Sequence, residues 1–131
     1  MRFLFVCIEN SCRSQIAEAF ARIHGGNDVE AFSGGSRPSG VVNPRAIASM
    51  KDVGYDLSTH TSKPVDSIPE GDFDYVVTMG CGDECPWIPA KHRYDWDIPD
   101  PGNMPPDEFA EVRNDIEQRV KALLAETNER R

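Results

Sequence analysis

The sequence predicts an α/β fold, a parallel sheet with helices on both faces, and three observations carry that prediction. A continuous apolar run from Phe3 to Val6 ends in Cys7, the pattern of a strand buried on both faces. Stretches with helical spacing alternate with further strand-like runs along the chain, which calls for parallel strands joined by helical crossovers. Cys7, Cys81 and Asp100 each follow a predicted strand. In open parallel sheets that carboxyl end is where ligands bind.

The elements follow in order. After a polar stretch over residues 8–13, Ile16, Ala19, Phe20 and Ile23 recur at helical spacing from Ser14 onward, and Gly25–Gly26 supply the stop. Val29–Ser33 reads as the second strand, closed by Gly34–Gly35. Asn43 then caps a helix with Pro44 at its first position, running to a stop at Gly54. The third strand is expected at Asp74–Met79 and the fourth at Arg93–Ile98, before the turn Pro99–Asp100–Pro101–Gly102. A last helix starts near Pro106–Asp107, with Phe109, Val112, Ile116, Val120 and Leu123 along one face. No repeat, low-complexity tract or linker divides the chain, so residues 1–131 read as a single domain.

Composition removes several classes of function. Of the 131 residues 39% are apolar and 27% charged, which is globular composition. The net charge of −8 repels phosphate backbones and anionic lipid, so no nucleic-acid or membrane partner is expected. The apolar run Phe3–Ile8 is far short of the roughly 20 residues of a membrane helix, and too short for a signal peptide. A soluble, cytoplasmic, monomeric protein is the expectation. In that setting Cys7, Cys12, Cys81 and Cys85 read as reactive or metal-binding thiols rather than structural bridges. Structural zinc wants two close ligand pairs, and only Cys81 with Cys85 forms one, even with His92 added. No metal and no cofactor are therefore expected.

The segment Cys7–Ile8–Glu9–Asn10–Ser11–Cys12–Arg13–Ser14 carries the chemistry. A loop between strand and helix can curl so that successive backbone N–H groups converge, and the helix beginning near Arg13 adds the positive end of its dipole. An oxyanion of phosphate shape fits such a cup, with Arg13 binding two oxygens in a planar fork. Residues 8–13 are thus the candidate oxyanion binders. Cys7 shares the positive field, which favours nucleophilic thiolate, and Ser14 is placed to donate to it. Cys12 reads as filler on the loop wall, since free cysteine is commonly a buried small hydrophobe.

The Cys7–x5–Arg13–Ser14 loop with Asn10 resembles the signature of the low-molecular-weight protein tyrosine phosphatase fold. Ser14–Gln15–Ile16–Ala17–Glu18–Ala19, Val42–Asn43–Pro44–Arg45–Ala46–Ile47, His60–Thr61–Ser62 and Asp100–Pro101 resemble its arsenate reductase branch. The resemblance spans essentially the whole chain. It implies a three-layer α/β/α fold with a four-stranded parallel sheet, and reduction of arsenate to arsenite. It also implies Cys7 as nucleophile, Arg13 as oxyanion clamp and Asp100 as the acid for the leaving oxygen. Phosphate and sulfate follow as analogues of the substrate. In the implied mechanism a second thiol attacks the Cys7 adduct, arsenite leaves, and a third thiol resolves the disulfide. Cys81 is assigned as attacker and Cys85 as resolver, with thioredoxin, mycothiol or a glutaredoxin system as possible electron sources. Residues four apart on a regular helix hold Cβ atoms about 5–6 Å apart, too far for a disulfide, so this segment is expected to distort, with Gly80 and Gly82 permitting it.

Two rival functions stay open on sequence: a tyrosine phosphatase on the same fold, and a non-catalytic oxyanion-binding or thiol-sensing module. Gly102–Asn103 stand after Pro101, where the phosphatase branch usually has aromatic residues that stack on phosphotyrosine. Glu9 stands where relatives often have glycine; its backbone can still donate to the anion, but its carboxylate would weaken oxyanion affinity unless it points outward. His24, His60 and His92 read as capping, loop or surface residues, and Trp87 and Trp96 as covers for the sheet edge or the cysteine segment. Some relatives hold potassium beside the loop, and Asn10, Glu18 and Ser33 match three of its ligand positions. The next position is Lys63, whose ammonium carries the same charge. Lys63 is expected to reach toward Glu18 and Asn10 and brace the loop in place of the ion.

Overall fold

The computed structural model describes residues 1–69, 71–80 and 87–129, and all four expected strands and three expected helices lie among them. In chain order they are β1 Arg2–Cys7, α1 Arg13–Gly25, β2 Glu30–Gly35, α2 Pro44–Lys51, β3 Phe73–Met79, β4 Ala90–Trp96 and α3 Pro106–Glu129. The sheet order is β2-β1-β3-β4, and every pairing is parallel. That order puts β1 inside the sheet, which explains its unbroken apolar run. Cys7 consequently ends an interior strand, in register with Gly35 of β2.

Alternation along β1 divides the core in two. Phe3 and Phe5 face a large cluster with Ile16 and Phe20 of α1, Met50 of α2, and Phe109, Ile116 and Val120 of α3. Phe3 stacks on Tyr75 at 4.9 Å between ring centroids, extending the cluster across the sheet. Leu4 and Val6 face the opposite way, onto Ile68 and Val76, with Val65 and Ile88 against them. Among the described residues this second face is closed by the single-turn helix Val65–Ser67 and neighbouring loops, so the layers are unequal in thickness.

Three elements depart from the sequence expectation by two residues or more. Gly34 and Gly35 belong to β2 rather than ending it, because they pair with Val6 and Cys7. A Cβ on Gly35 would sit 2.7 Å from the Ile8 carbonyl oxygen, so glycine is what lets β2 pass beside the loop. The helix capped by Asn43 stops at Lys51, and a turn through Gly54 follows, at φ 85°. Finally, β4 runs 90–96 instead of 93–98. Its half-buried positions are Ala90, His92, Tyr94 and Trp96, alternating with exposed Lys91, Arg93 and Asp95. That is a period-two edge strand whose inward side is mostly aromatic, with His92 packed on Tyr75 at 4.9 Å.

Candidate active site

The loop between β1 and α1 curls because its carbonyl groups are all claimed from outside. Ile8 O accepts from Arg37 N, Glu9 O from Ser39 N and Ser62 Oγ, and Ser11 O from Asn43 N, at 2.8, 3.1, 2.9 and 3.1 Å. Asn10 O accepts from Gln15 Nε2 at 3.0 Å, and Cys12 O from Ile16 N at 2.9 Å inside the helix. A trans peptide turns its N–H opposite its C=O. The N–H groups of Glu9, Ser11, Cys12 and Arg13, which follow those carbonyls, are therefore turned away from these donors, and their residues line a cavity of ≈ 370 Å³. Cys7, Ile8, Glu9, Ser11, Cys12 and Arg13 line it from below, with Asn43, Asp100, Gly102 and Asn103 on the opposite wall.

The loop side of the cavity gathers positive groups, although the carboxylates of Glu9 and Asp100 also line it. The first turn of α1 contains no acidic residue, and Cys12 at its N-cap makes no side-chain capping bond. The helix terminus thus keeps orphan N–H groups aimed at the cavity. Arg13 is 8% exposed, and its Nη1 donates to Ile98 O at 3.0 Å. Among the described residues no carboxylate pairs with it. A buried guanidinium without a counter-ion is a standing site for an anion. Gly80, at φ 70°, makes room for this arginine: a Cβ there would meet Nη1 at 2.4 Å. Glycine at position 80 therefore has a packing reason beyond the mobility expected from sequence.

Cys7 is 3% exposed, and its Sγ lies 2.9 Å from Ser14 Oγ. Asn10 Nδ2 donates to the same Oγ at 2.7 Å, which leaves the Ser14 hydroxyl hydrogen free to point at sulfur. Burial, with the nearby charges of Asp100 and Cys7 adding to it, pushes the Cys12 thiol up to about 12. Cys12 therefore stays protonated, in keeping with its reading as filler.

Behind the loop lies a network that the sequence reading only partly anticipated. Asn10 does not line the cavity; it is fully buried at φ 50°, a left-handed conformation that asparagine tolerates better than most residues. Its Oδ1 accepts from Gln15 Nε2 at 2.9 Å and from Lys63 N at 3.0 Å. Gln15 Oε1 pairs with His60 Nδ1 at 2.9 Å, and His60 Nε2 with Tyr55 Oη at 2.6 Å. Gln15 and His60 are thus part of the site's scaffold, although His60 reads from sequence as a loop residue. The only sequence signal was the motifs containing them, because the partners are 45 residues apart. Burial is the main reason the His60 pKa lies below its ordinary value. Because Nδ1 faces the acceptor Gln15 Oε1, the neutral ring donates there, and its Nε2 accepts a hydrogen bond from the Tyr55 hydroxyl.

Glu18 is the second hub. It accepts from Ser33 Oγ at 2.6 Å and pairs with Arg22 at 2.9 Å, His60 at 3.4 Å and Lys63 Nζ at 3.8 Å. Lys63 Nζ also donates to Thr61 O at 3.2 Å, and burial lowers its pKa against the pull of Glu18. Lys63 meets Asn10 through its backbone N–H, so the ammonium serves Glu18 alone of that pair. Glu9 is exposed and lies at the cavity's edge. Asp100 is exposed on the opposite wall, where its Oδ1 accepts from Gly102 N at 3.0 Å. Cys81 and Cys85 lie outside the described residues.

Comparison with known proteins gives one consistent result. The family model described as low molecular weight phosphotyrosine protein phosphatase matches residues 2–131. A glutaredoxin arsenate reductase of Synechocystis is 39% identical over 127 residues, covering 95% of this chain and 96% of that protein. A solved arsenate reductase in its phosphate-binding state is 38% identical with a TM-score of 0.85, covering 95% of this chain and 97% of the other. A thioredoxin-dependent arsenate reductase of Corynebacterium glutamicum is 32% identical with a TM-score of 0.79, covering 99% of this chain and 63% of that one.

Proposed function

This chain belongs to the low molecular weight phosphotyrosine protein phosphatase family, and from that premise we infer that it is an arsenate reductase, converting arsenate to arsenite. The observation that carries the reading is the cup itself: a buried Arg13 with no carboxylate partner among the described residues, and a helix terminus without a side-chain cap, around a thiol 2.9 Å from the Ser14 hydroxyl. Arsenate has the size and charge of phosphate and fills the same tetrahedral site. With Ile98 O on Nη1, the remaining guanidinium edge of Arg13 is the fork for two oxygens. No aromatic residue lines the described cavity, which supports a small inorganic oxyanion over a phosphotyrosine side chain.

In the proposed cycle the Cys7 thiolate attacks arsenic(V), and Asp100 protonates the departing oxygen, which leaves as water. Cys81 thiolate then attacks Cys7 Sγ. The S–As bond breaks, its electron pair goes to arsenic, and arsenite leaves as arsenic(III) with a Cys7–Cys81 disulfide formed. Cys85 thiolate attacks Cys81, releasing Cys7 and leaving Cys81–Cys85. An internal disulfide is a substrate for an external dithiol, so thioredoxin is the proposed reductant, acting on a monomeric enzyme in the cytoplasm.

Single-turnover chemistry tests this cycle. Cys85→Ser is expected to release about one arsenite per enzyme and stop with Cys7 bridged to Cys81. Cys81→Ser is expected to form no bridge at Cys7, and Cys7→Ser no arsenite. A Cys7–Cys85 bridge in an otherwise active enzyme would reverse the assigned order. Multiple turnovers are expected with a thioredoxin system, whereas turnover only with glutathione and glutaredoxin would replace the proposed reductant.

A further inference from the structure

Both ends of the segment carrying Asp100 are tied to the rest of the site. Arg13 Nη1 donates to Ile98 O at one end. At the other, Asn43 Nδ2 donates to Gly102 O at 3.3 Å and Arg45 Nη1 to Met104 O at 2.6 Å. Met104 N closes the turn onto Pro101 O at 2.9 Å. Asn43 is engaged on two further sides. Its Oδ1 accepts from Arg45 N at 2.8 Å, capping α2, and its backbone N–H donates to Ser11 O at 3.1 Å, in the anion loop. One residue therefore touches the anion loop, the start of α2 and the acid segment, and it lines the cavity between them.

The amide is matched to these tasks. Arg45 N–H requires an acceptor and Gly102 O requires a donor, which fixes which way the Asn43 amide points. An N-capping role accounts for Oδ1 and leaves Nδ2 unexplained, since aspartate or serine caps about equally well. Gly102 connects the donor to the acid: its carbonyl accepts from Asn43, and its own N–H donates to Asp100 Oδ1. We propose that Asn43 is a positioning residue for proton delivery, holding Gly102 so that the Asp100 carboxyl stays registered against the anion loop across the cavity. The inference rests on the reading of Asp100 as the acid.

A double-mutant cycle tests it, using arsenite formation under thioredoxin regeneration and phosphate protection of Cys7 against alkylation. Asn43→Ser keeps a cap but is too short to reach Gly102. It is expected to lower kcat about tenfold, with the phosphate protection constant changed less than about threefold. Asp100→Asn is expected to lower kcat about a hundredfold. The double variant should be within about twofold of Asp100→Asn alone, because Asn43 has nothing left to position. Asn43→Asp is the second variant: it caps α2 fully and turns an acceptor toward Gly102 O, so kcat falls at least as far. Independent, multiplicative losses, or an Asn43→Ser enzyme with unchanged kcat, would overturn the proposal. A silent Asp100→Asn would instead overturn the acid reading on which it rests.

Discussion

The two walls of the cavity are built on opposite terms. On the nucleophile side, every loop carbonyl from Ile8 to Ser11 has an outside donor, and Asn10 alone takes part in four hydrogen bonds with no exposed surface. On the acid side, Asp100 is exposed and held through Gly102, with Asn43 and Arg45 as the described ties beyond it. The contrast follows from what each wall does. Donors that stabilise an oxyanion act best when already aimed, so the loop is over-determined. An acid must meet a substrate that enters and a product that leaves, so its segment is held by few bonds.

The largest expected effect is the one that breaks the stiff wall. Asn10→Ala removes the acceptor of Lys63 N and the Nδ2 donor to Ser14 Oγ, and puts alanine at positive φ. It is expected to cost about 2–4 kcal/mol in denaturant unfolding and to weaken phosphate binding. Asn103→Ala, on the rim of the other wall, is expected to stay within about 0.5 kcal/mol of wild type. Equal losses at the two positions would abolish the distinction between the walls.

A smaller effect is acid sensitivity confined to the stiff wall. The folded chain holds His60 below its ordinary value of 6.5, mainly by burial, so the unfolded chain takes up that proton first as pH falls. The stability associated with neutral His60 is present above pH 6.5 and is lost as pH drops toward the lowered folded value. Protonation also removes the acceptor for the Tyr55 hydroxyl. Denaturant midpoints between pH 7.5 and 5 should fall less steeply in His60→Gln than in wild type, and parallel slopes would contradict this. The smallest effect concerns Lys63, half-buried and 3.8 Å from Glu18. Lys63→Ala is expected to cost about 0.5–1 kcal/mol, with wild-type turnover nearly equal in potassium and in a bulky cation at matched ionic strength. A silent Lys63→Ala, or strong potassium activation of wild type, would remove the bracing role.

How much of this was readable in the sequence depended on whether a residue's partner lay nearby. The interior strand β1 was visible because burial on both faces writes itself as consecutive apolar residues. The start of α2 was visible because a cap and a proline are adjacent. The edge strand β4 was misplaced at both ends because its inward side is mostly half-buried aromatics, His92 among them, rather than aliphatics. Within the site, the composition of residues 7–14 was enough to suggest an anion cup. The braces were not legible by the same route. Gln15 meets His60 and Asn43 meets Gly102 only after the chain has folded, at separations of 45 and 59 residues. Gly80 looked like a flexible joint, and its packing against Arg13 needed three dimensions.

Selective alkylation tests the central claim, that the β1–α1 loop is an oxyanion cup around a reactive Cys7. Enzyme treated briefly with iodoacetamide at neutral pH, with and without phosphate or arsenate, is digested and the modified cysteines are identified by mass. The account predicts rapid labelling of Cys7, none at Cys12, whose thiol is held protonated, and protection of Cys7 that rises with oxyanion concentration. Labelling of Cys12 ahead of Cys7, or a Cys7 rate indifferent to either oxyanion, would contradict it.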